Sequence, residues 1–156
     1  MIHMNIPGFG KINIKHVVFD YNGTIALDGK LIKGVKEGIK KYSRQVKFHV
    51  ITADTFGFVE KELQDIDAGL TIIPKENQAQ RKRDYVRNLG ADQTLCAGNG
   101  SNDRMMLKEA GIGIAIFGQE GLATSSLGAA DLLVTDILDI FGFFRTPERL
   151  IACLRT

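Results

Sequence analysis

The chain has 156 residues, of which 44% are hydrophobic and 24% charged, with a formal net charge of +2. This composition excludes a disordered or fibrous protein, and a charge so near balance gives no reason to expect a nucleic-acid or membrane surface. The length suits one domain, residues 1–156, able to bury a core of its own.

Apolar runs and helical spacings alternate along the chain. HVVFD (16–20) reads as a buried strand that delivers Asp20 into the loop Tyr21-Asn22-Gly23-Thr24. Val35, Ile39 and Tyr42 then share one helical face. VKFHVI (46–51) is the next strand and runs on to Thr52 and Ala53. Asp54 reads as the N-cap of a helix over 55–64 whose face carries Phe56, Val59 and Leu63. LTII (70–73) precedes a third helix, with Ala79, Val86 and Leu89 on one face and Gly90 as its stop. The basic run Arg81-Lys82-Arg83 lies on that helix. TLCA (94–97) leads into Gly98-Asn99-Gly100, and IGIAI (112–116) and DLLV (131–134) complete the strands.

The last segment, ILDIFGFFRTPERLIACL (137–154), is the most apolar. Pro147 suits the start of a final helix. Phe141, Phe143 and Phe144 leave two readings open, a core-covering helix or a patch for homo-oligomer formation. Nothing in the chain approaches the roughly 20 apolar residues that span a bilayer. MIHMNIPGFG lacks the basic start and apolar run of a secretion signal. Cys96 and Cys153 fit no metal or disulfide spacing, and His3, His16 and His49 are scattered. Reduced core thiols in a cytoplasmic protein are the expectation.

Strand–helix alternation with uninterrupted apolar strands predicts an α/β fold, a Rossmann-like doubly wound parallel sheet covered by helices on both faces. Ligands of such sheets sit outside the carboxyl ends of the strands. Asp20, Asn22, Thr24, Thr52, Asp54, Asn99, Asn102 and Asp103 collect there. Carboxylates, neutral donors and a lysine suit a hydrated magnesium ion (Mg2+) and a phosphoryl group. Glycines 23, 98 and 100 allow backbone N–H groups close to an anion.

These residues carry a resemblance. DYNGT at 20–24 resembles the first motif of the haloacid dehalogenase (HAD) superfamily of phosphohydrolases, DxDGT. Thr52 in VITAD, Lys82 on the helix before the fourth strand, and GNGSND at 98–103 are similar to its second, third and fourth motifs. The stretches DYNGTIALDGK and ITAD also resemble the phosphorylation domain of P-type ATPases. The short span from Thr24 to Thr52 resembles members that lack a cap domain.

The resemblance implies Asp20 as nucleophile, forming an aspartyl-phosphate, and Lys82 as the cation that offsets charge in the transition state. Phosphate oxygens would be bound by Thr52, Ala53 and Lys82 and by the backbone of Tyr21, Asn22, Gly23 and Thr24. Magnesium would be held by Asp20, the Asn22 carbonyl, Asn99 and Asp103, the last directly or through water. A small phosphorylated substrate is implied as the partner.

Two residues depart from the pattern. Asn22 stands where the family's general acid–base aspartate belongs and can neither give nor take the proton, a service worth about 10²- to 10⁴-fold. Asn99 replaces a metal-binding aspartate. Slow turnover is therefore one expectation, and a catalytically impaired phosphate-binding or regulatory module is the other. Lys75 and Arg81 compete with Lys82 for the lysine role. Both asparagines precede glycine, a pair open to spontaneous deamidation.

Overall fold

The computed structural model describes residues 1–53 and 58–156. The expected cap Asp54 and the helix residue Phe56 lie outside the described residues. The chain opens with an antiparallel hairpin, β1 (Ile2–Ile6) and β2 (Gly10–Ile14), in which Ile2 faces Ile14. There follow β3 (His16–Phe19), a two-residue-per-strand hairpin of β4 (Ala26–Leu27) and β5 (Lys30–Leu31), and α1 (Val35–Tyr42). Next come β6 (Lys47–Thr52), α2 (Phe58–Glu62), β7 (Ala68–Ile72) and α3 (Gln78–Leu89). The second half holds β8 (Thr94–Gly98), α4 (Arg104–Glu109), β9 (Ile112–Ile116) and α5 (Thr124–Leu127). It ends with β10 (Leu132–Val134), α6 (Leu138–Arg145) and α7 (Pro147–Leu154).

Six strands form one parallel sheet in the order β10-β9-β8-β3-β6-β7. From β3 the chain winds outward through β6 and β7, then returns to the other side of β3 for β8, β9 and β10. The order therefore reverses between β3 and β8, which opens a crevice above their carboxyl ends.

Alternation along each strand sends side chains to two separate apolar layers. Val17, Phe19, Phe48, Val50, Leu95 and Ala97 face α1, α6 and α7 through Val35, Ile39, Ile140, Phe141 and Leu150. Val18, Ile51 and Cys96 face α3 and α4 through Val86, Met106 and Leu107. Each fully buried Leu, Ile, Phe or Val contributes about 1.5–3 kcal/mol by leaving water.

The aromatic segment near the C-terminus belongs to the first layer. Phe141 lies among Phe19, Tyr42, Phe48 and Phe144 with ring centroids 6.1 to 6.4 Å apart. Phe144 is buried as well and Phe143 is partly buried. Of the two readings left open for this segment, the burial of Phe141 and Phe144 favours the core-covering helix. Gly38 of α1 makes their fit close, since a Cβ there would stand 2.5 Å from the Phe141 ring. Truncating Phe141 to alanine would cost about 3–5 kcal/mol. No helix among the described residues is long and apolar enough to cross a membrane.

Candidate active site

β3 extends one residue past its last strand position through a bond from the Asp20 N–H to the Ala97 carbonyl at 3.0 Å. Asp20 is thereby fixed at the crevice floor, 8% exposed. The chain then turns tightly around the Tyr21 carbonyl, which accepts from the N–H groups of Thr24 (3.2 Å), Ile25 (3.0 Å) and Ala26 (3.0 Å). Gly23 sits at φ +77°, where an L side chain is strained, and a Cβ there would fall inside the Asn99 amide. The Thr24 hydroxyl lies 3.2 Å from Asp20 Oδ2 and 3.3 Å from Asn99 Oδ1.

Lys82 reaches the same floor from α3. Its Nζ donates to Asp20 Oδ1 and to Asp103 Oδ1, both at 2.6 Å, and its side chain is 0% exposed. Lys75 is exposed before α3, and Arg81 is turned outward onto the Glu76 carbonyl. The structure thus brings Lys82, of the three basic candidates, to Asp20. The run 81–83 is not a uniformly solvated face.

Asp103, expected among the metal ligands, is fully buried behind the lysine. Its Oδ1 accepts from Lys82, and its Oδ2 accepts from the Gly100 N–H at 2.9 Å. Burial and then the nearby Asp20 carboxylate push its pKa up to about 7, against the pull of Lys82. Burial alone would lower the Lys82 pKa, but the two carboxylates outweigh it and hold the ammonium above its ordinary value. The lysine is the cation here.

Above this floor lies a pocket of about 330 Å³ lined by Asp20, Asn22, Thr52, Ala53, Asn99, Gly100 and Asn102. Thr52 closes β6 at its rim and is 3% exposed. Asn102 is held by its Nδ2 donating to Gln78 Oε1 at 2.6 Å. Tyr21 is the exception among the expected residues, since its ring is buried and its hydroxyl donates to the Gly29 carbonyl at 2.9 Å. Only its backbone is near the turn.

The donors around the pocket are oxygens and amides of Asp20, Asn22, Thr52 and Asn99, a set suited to a hard ion that keeps some of its water. Among the described residues there is no group of three or more His, Cys, Asp or Glu side chains spaced to cage a metal. Magnesium does not need one, because one or two carboxylates plus phosphate oxygens suffice. The pocket residues fit that ion.

No family model matches the chain. It is 29% identical over 120 residues to a soluble P-type ATPase-like phosphatase of Methanocaldococcus jannaschii, a match covering 75% of this chain. The chain spans only 44% of that relative's length. A cobalt-bound deoxy-D-mannose-octulosonate 8-phosphate phosphatase from Haemophilus influenzae superposes with a TM-score of 0.66. It is 18% identical, with 89% of this chain and 97% of that one covered. The corresponding phosphatase of Moraxella catarrhalis, solved with magnesium, phosphate and KDO, gives a TM-score of 0.62 at 16% identity over 88% and 92% of the two chains. The chain has the fold of the HAD superfamily.

Within this HAD-like fold, the motif residues that fall among the described ones sit at the carboxyl end of β3, β6 or β8, or reach it from α3. Sequence reasoning missed the supports. Gly121 and Glu120 lie far from the motifs, Gln78 lies four residues before Lys82 on α3, and no local pattern marks any of them. Asn99 Nδ2 donates to the Gly121 carbonyl at 3.1 Å, and Glu120 Oε1 accepts from the Asp28 N–H at 2.9 Å. The local hydrogen bonds also bear on deamidation at the two Asn-Gly pairs and would slow it. The attacking nitrogens would be those of Gly23 and Gly100, and both already donate, to the Ala26 carbonyl at 2.8 Å and to Asp103 at 2.9 Å.

Proposed function

We propose that this chain, as a single domain over 1–156, is a magnesium-dependent phosphohydrolase or phosphotransferase of the cytoplasm that works through an aspartyl-phosphate at Asp20. The observation that carries the reading is the buried Lys82 clamped at 2.6 Å to both Asp20 and Asp103 beneath an open pocket of oxygen donors. An Asp20 carboxylate oxygen attacks phosphorus, and the bond from phosphorus to the leaving oxygen breaks with its electron pair. Water then attacks the same phosphorus and releases phosphate, restoring the carboxylate.

Lys82 lowers the repulsion between the anionic nucleophile and the phosphoryl oxygens. Thr52, Ala53 and the N–H groups after Asp20 receive those oxygens. Asp103 holds Lys82 in place, its two oxygens being engaged inward. Magnesium would be held by the Asp20 carboxylate, the Asn22 carbonyl and Asn99, and would supply positive charge to the phosphoryl group.

Asn22 cannot protonate the leaving oxygen, so small substrates whose leaving group is a weak base, acyl and aryl phosphates, turn over best. Support for a phosphorylated small molecule comes from the neighbours solved with metal, phosphate and sugar acid. The test is beryllofluoride or acetyl phosphate with magnesium. An adduct at residue 20 that disappears in Asp20→Asn is expected, and no magnesium-dependent adduct in the native chain sinks the reading. Asn22 and Asn99 favour a second reading, a phosphate-binding module without turnover. Binding of phosphate with no adduct would select it.

A further inference from the structure

We infer that Asn99 is a positioning residue whose amide, and not an acid, is what this particular site is built to hold. The inference rests on the phosphoryl-transfer reading of the pocket and deepens it. Asn99 follows β8 and ties the turn at 118–123 to the crevice by two bonds. Its backbone carbonyl accepts from the Ala123 N–H at 2.9 Å, and its Nδ2 donates to the Gly121 carbonyl at 3.1 Å.

A carbonyl only accepts, so the NH₂ must face Gly121 and Oδ1 must fall on the side of Thr24 and Asp20. The orientation of the amide is thus set by the turn. Gly121 is itself fixed, at φ +81° with its N–H on the Gly118 carbonyl at 3.0 Å. The turn also braces the opposite wall, where Glu120 receives the Asp28 N–H at 2.9 Å.

An aspartate at 99 would set a carboxylate oxygen against the Gly121 carbonyl with no donor between them. Its other oxygen would crowd Asp20 across the Thr24 hydroxyl, and Lys82, the cation beneath it, already serves two carboxylates. Asn99 is 8% exposed, which leaves water little room to relieve either contact. The same turn borders a second cleft of about 200 Å³ lined in part by Gly23, Gly118 and Glu120. Asn99 therefore shapes the space beside the phosphoryl pocket as well as offering it a neutral oxygen.

The experiment uses the whole chain, first in EDTA without substrate. Asn99→Asp is expected to melt about 2–10 °C lower than the native protein. Amide exchange at Ala123 and Gly121 should rise about tenfold, with the β3 amides unchanged. Asn99→Ala, which removes the side-chain bond to Gly121, keeps the backbone bond to Ala123 and adds no charge, should show the exchange effect with a smaller fall in melting temperature. An Asn99→Asp protein that melts at or above the native temperature with Ala123 still protected overturns the inference. If Asn99→Asp does not fold, native-like protection of Ala123 in Asn99→Ala overturns it instead.

With substrate, Asn99→Ala should raise KM for an aryl phosphate about threefold more than for acetyl phosphate, the aryl group being the larger probe of the wall that Asn99 positions. Equal changes for both would overturn the positioning role. A native chain that forms no beryllofluoride adduct removes the phosphoryl-transfer reading but leaves the metal-free melting and exchange results to be judged alone.

Discussion

At the carboxyl end of the sheet a fully buried lysine stays charged between two carboxylates; towards the amino end an inward-facing histidine stays neutral between hydrogen-bonding neighbours. Lys82 has Asp20 and Asp103 at 2.6 Å. His49 has His16 at 3.0 Å and the Tyr85 hydroxyl at 2.9 Å. Burial and then the charges of His16 and Lys47 lower the His49 pKa to about 4. One end pays to keep charge dry, and the other discards it. Lys82 and Tyr85 are three residues apart on α3, so a single helix spans both solutions. Of these two places, charge is retained at the one beneath the proposed phosphoryl pocket.

The sharpest way to break this contrast is to remove the cation. Lys82→Ala leaves Asp20 and Asp103 facing each other without compensation, which is expected to cost about 3–5 kcal/mol of stability. The melting temperature should fall by about 6–20 °C at pH 7.5, and the beryllofluoride adduct should vanish. Lys82→Met combined with Asp103→Leu should recover part of the stability and none of the adduct, since apolar replacement of a buried pair costs little. A single variant that melts like the native chain would show that the clamp stores no uncompensated charge.

The second prediction concerns the proton that this end does not manage. Asn22→Asp supplies an acid at an exposed position of the pocket. Hydrolysis of alkyl phosphates is expected to rise about 10²- to 10⁴-fold, with acyl phosphates gaining much less. Steady-state kinetics on the two substrate classes decide it. Equal gains, or none, would mean that the residue is not placed to protonate a leaving group.

Much of this architecture was legible in the residues. The apolar runs fall on all six strands of the parallel sheet, and Gly90 does end α3. Asp20, Thr52, Lys82 and Asn99 converge because strand order and the carboxyl-end rule are properties of alternation and apolar period, which a single sequence carries. The amino-terminal hairpin was not foreseen, although Ile2, Met4, Ile6, Ile12 and Ile14 alternate with exposed residues as its buried face. Its period of two was visible, but its partner surface lies on α7, at the far end of the chain. That Asp103 also supports Lys82 went unread for a related reason. Which way a carboxylate points depends on Gly100 and Lys82 together, and spacing alone does not fix that. The bond from Asn99 to Gly121 joins residues 22 apart with no pattern between them.

The smallest effect sets the two ends against each other through pH. His49 has a folded pKa of about 4, below its ordinary 6.5, so its contribution is complete above pH 6.5 and is lost as pH falls towards 4. Asp103 runs the opposite way. With its pKa raised from 3.8 to about 7, its contribution is complete below pH 3.8 and is lost as pH rises through 7. Between pH 4 and 6.5 the two slopes oppose each other in the native chain. His49→Gln should therefore gain melting temperature, relative to the native protein, as pH drops through that window. Asp103→Asn should lose it over the same interval. The informative quantity is the difference between each variant and the native curve, because carboxylates remote from both groups titrate alike in all three. Parallel curves would mean that neither group departs from its ordinary protonation, and the electrostatic contrast between the two ends would fall with them.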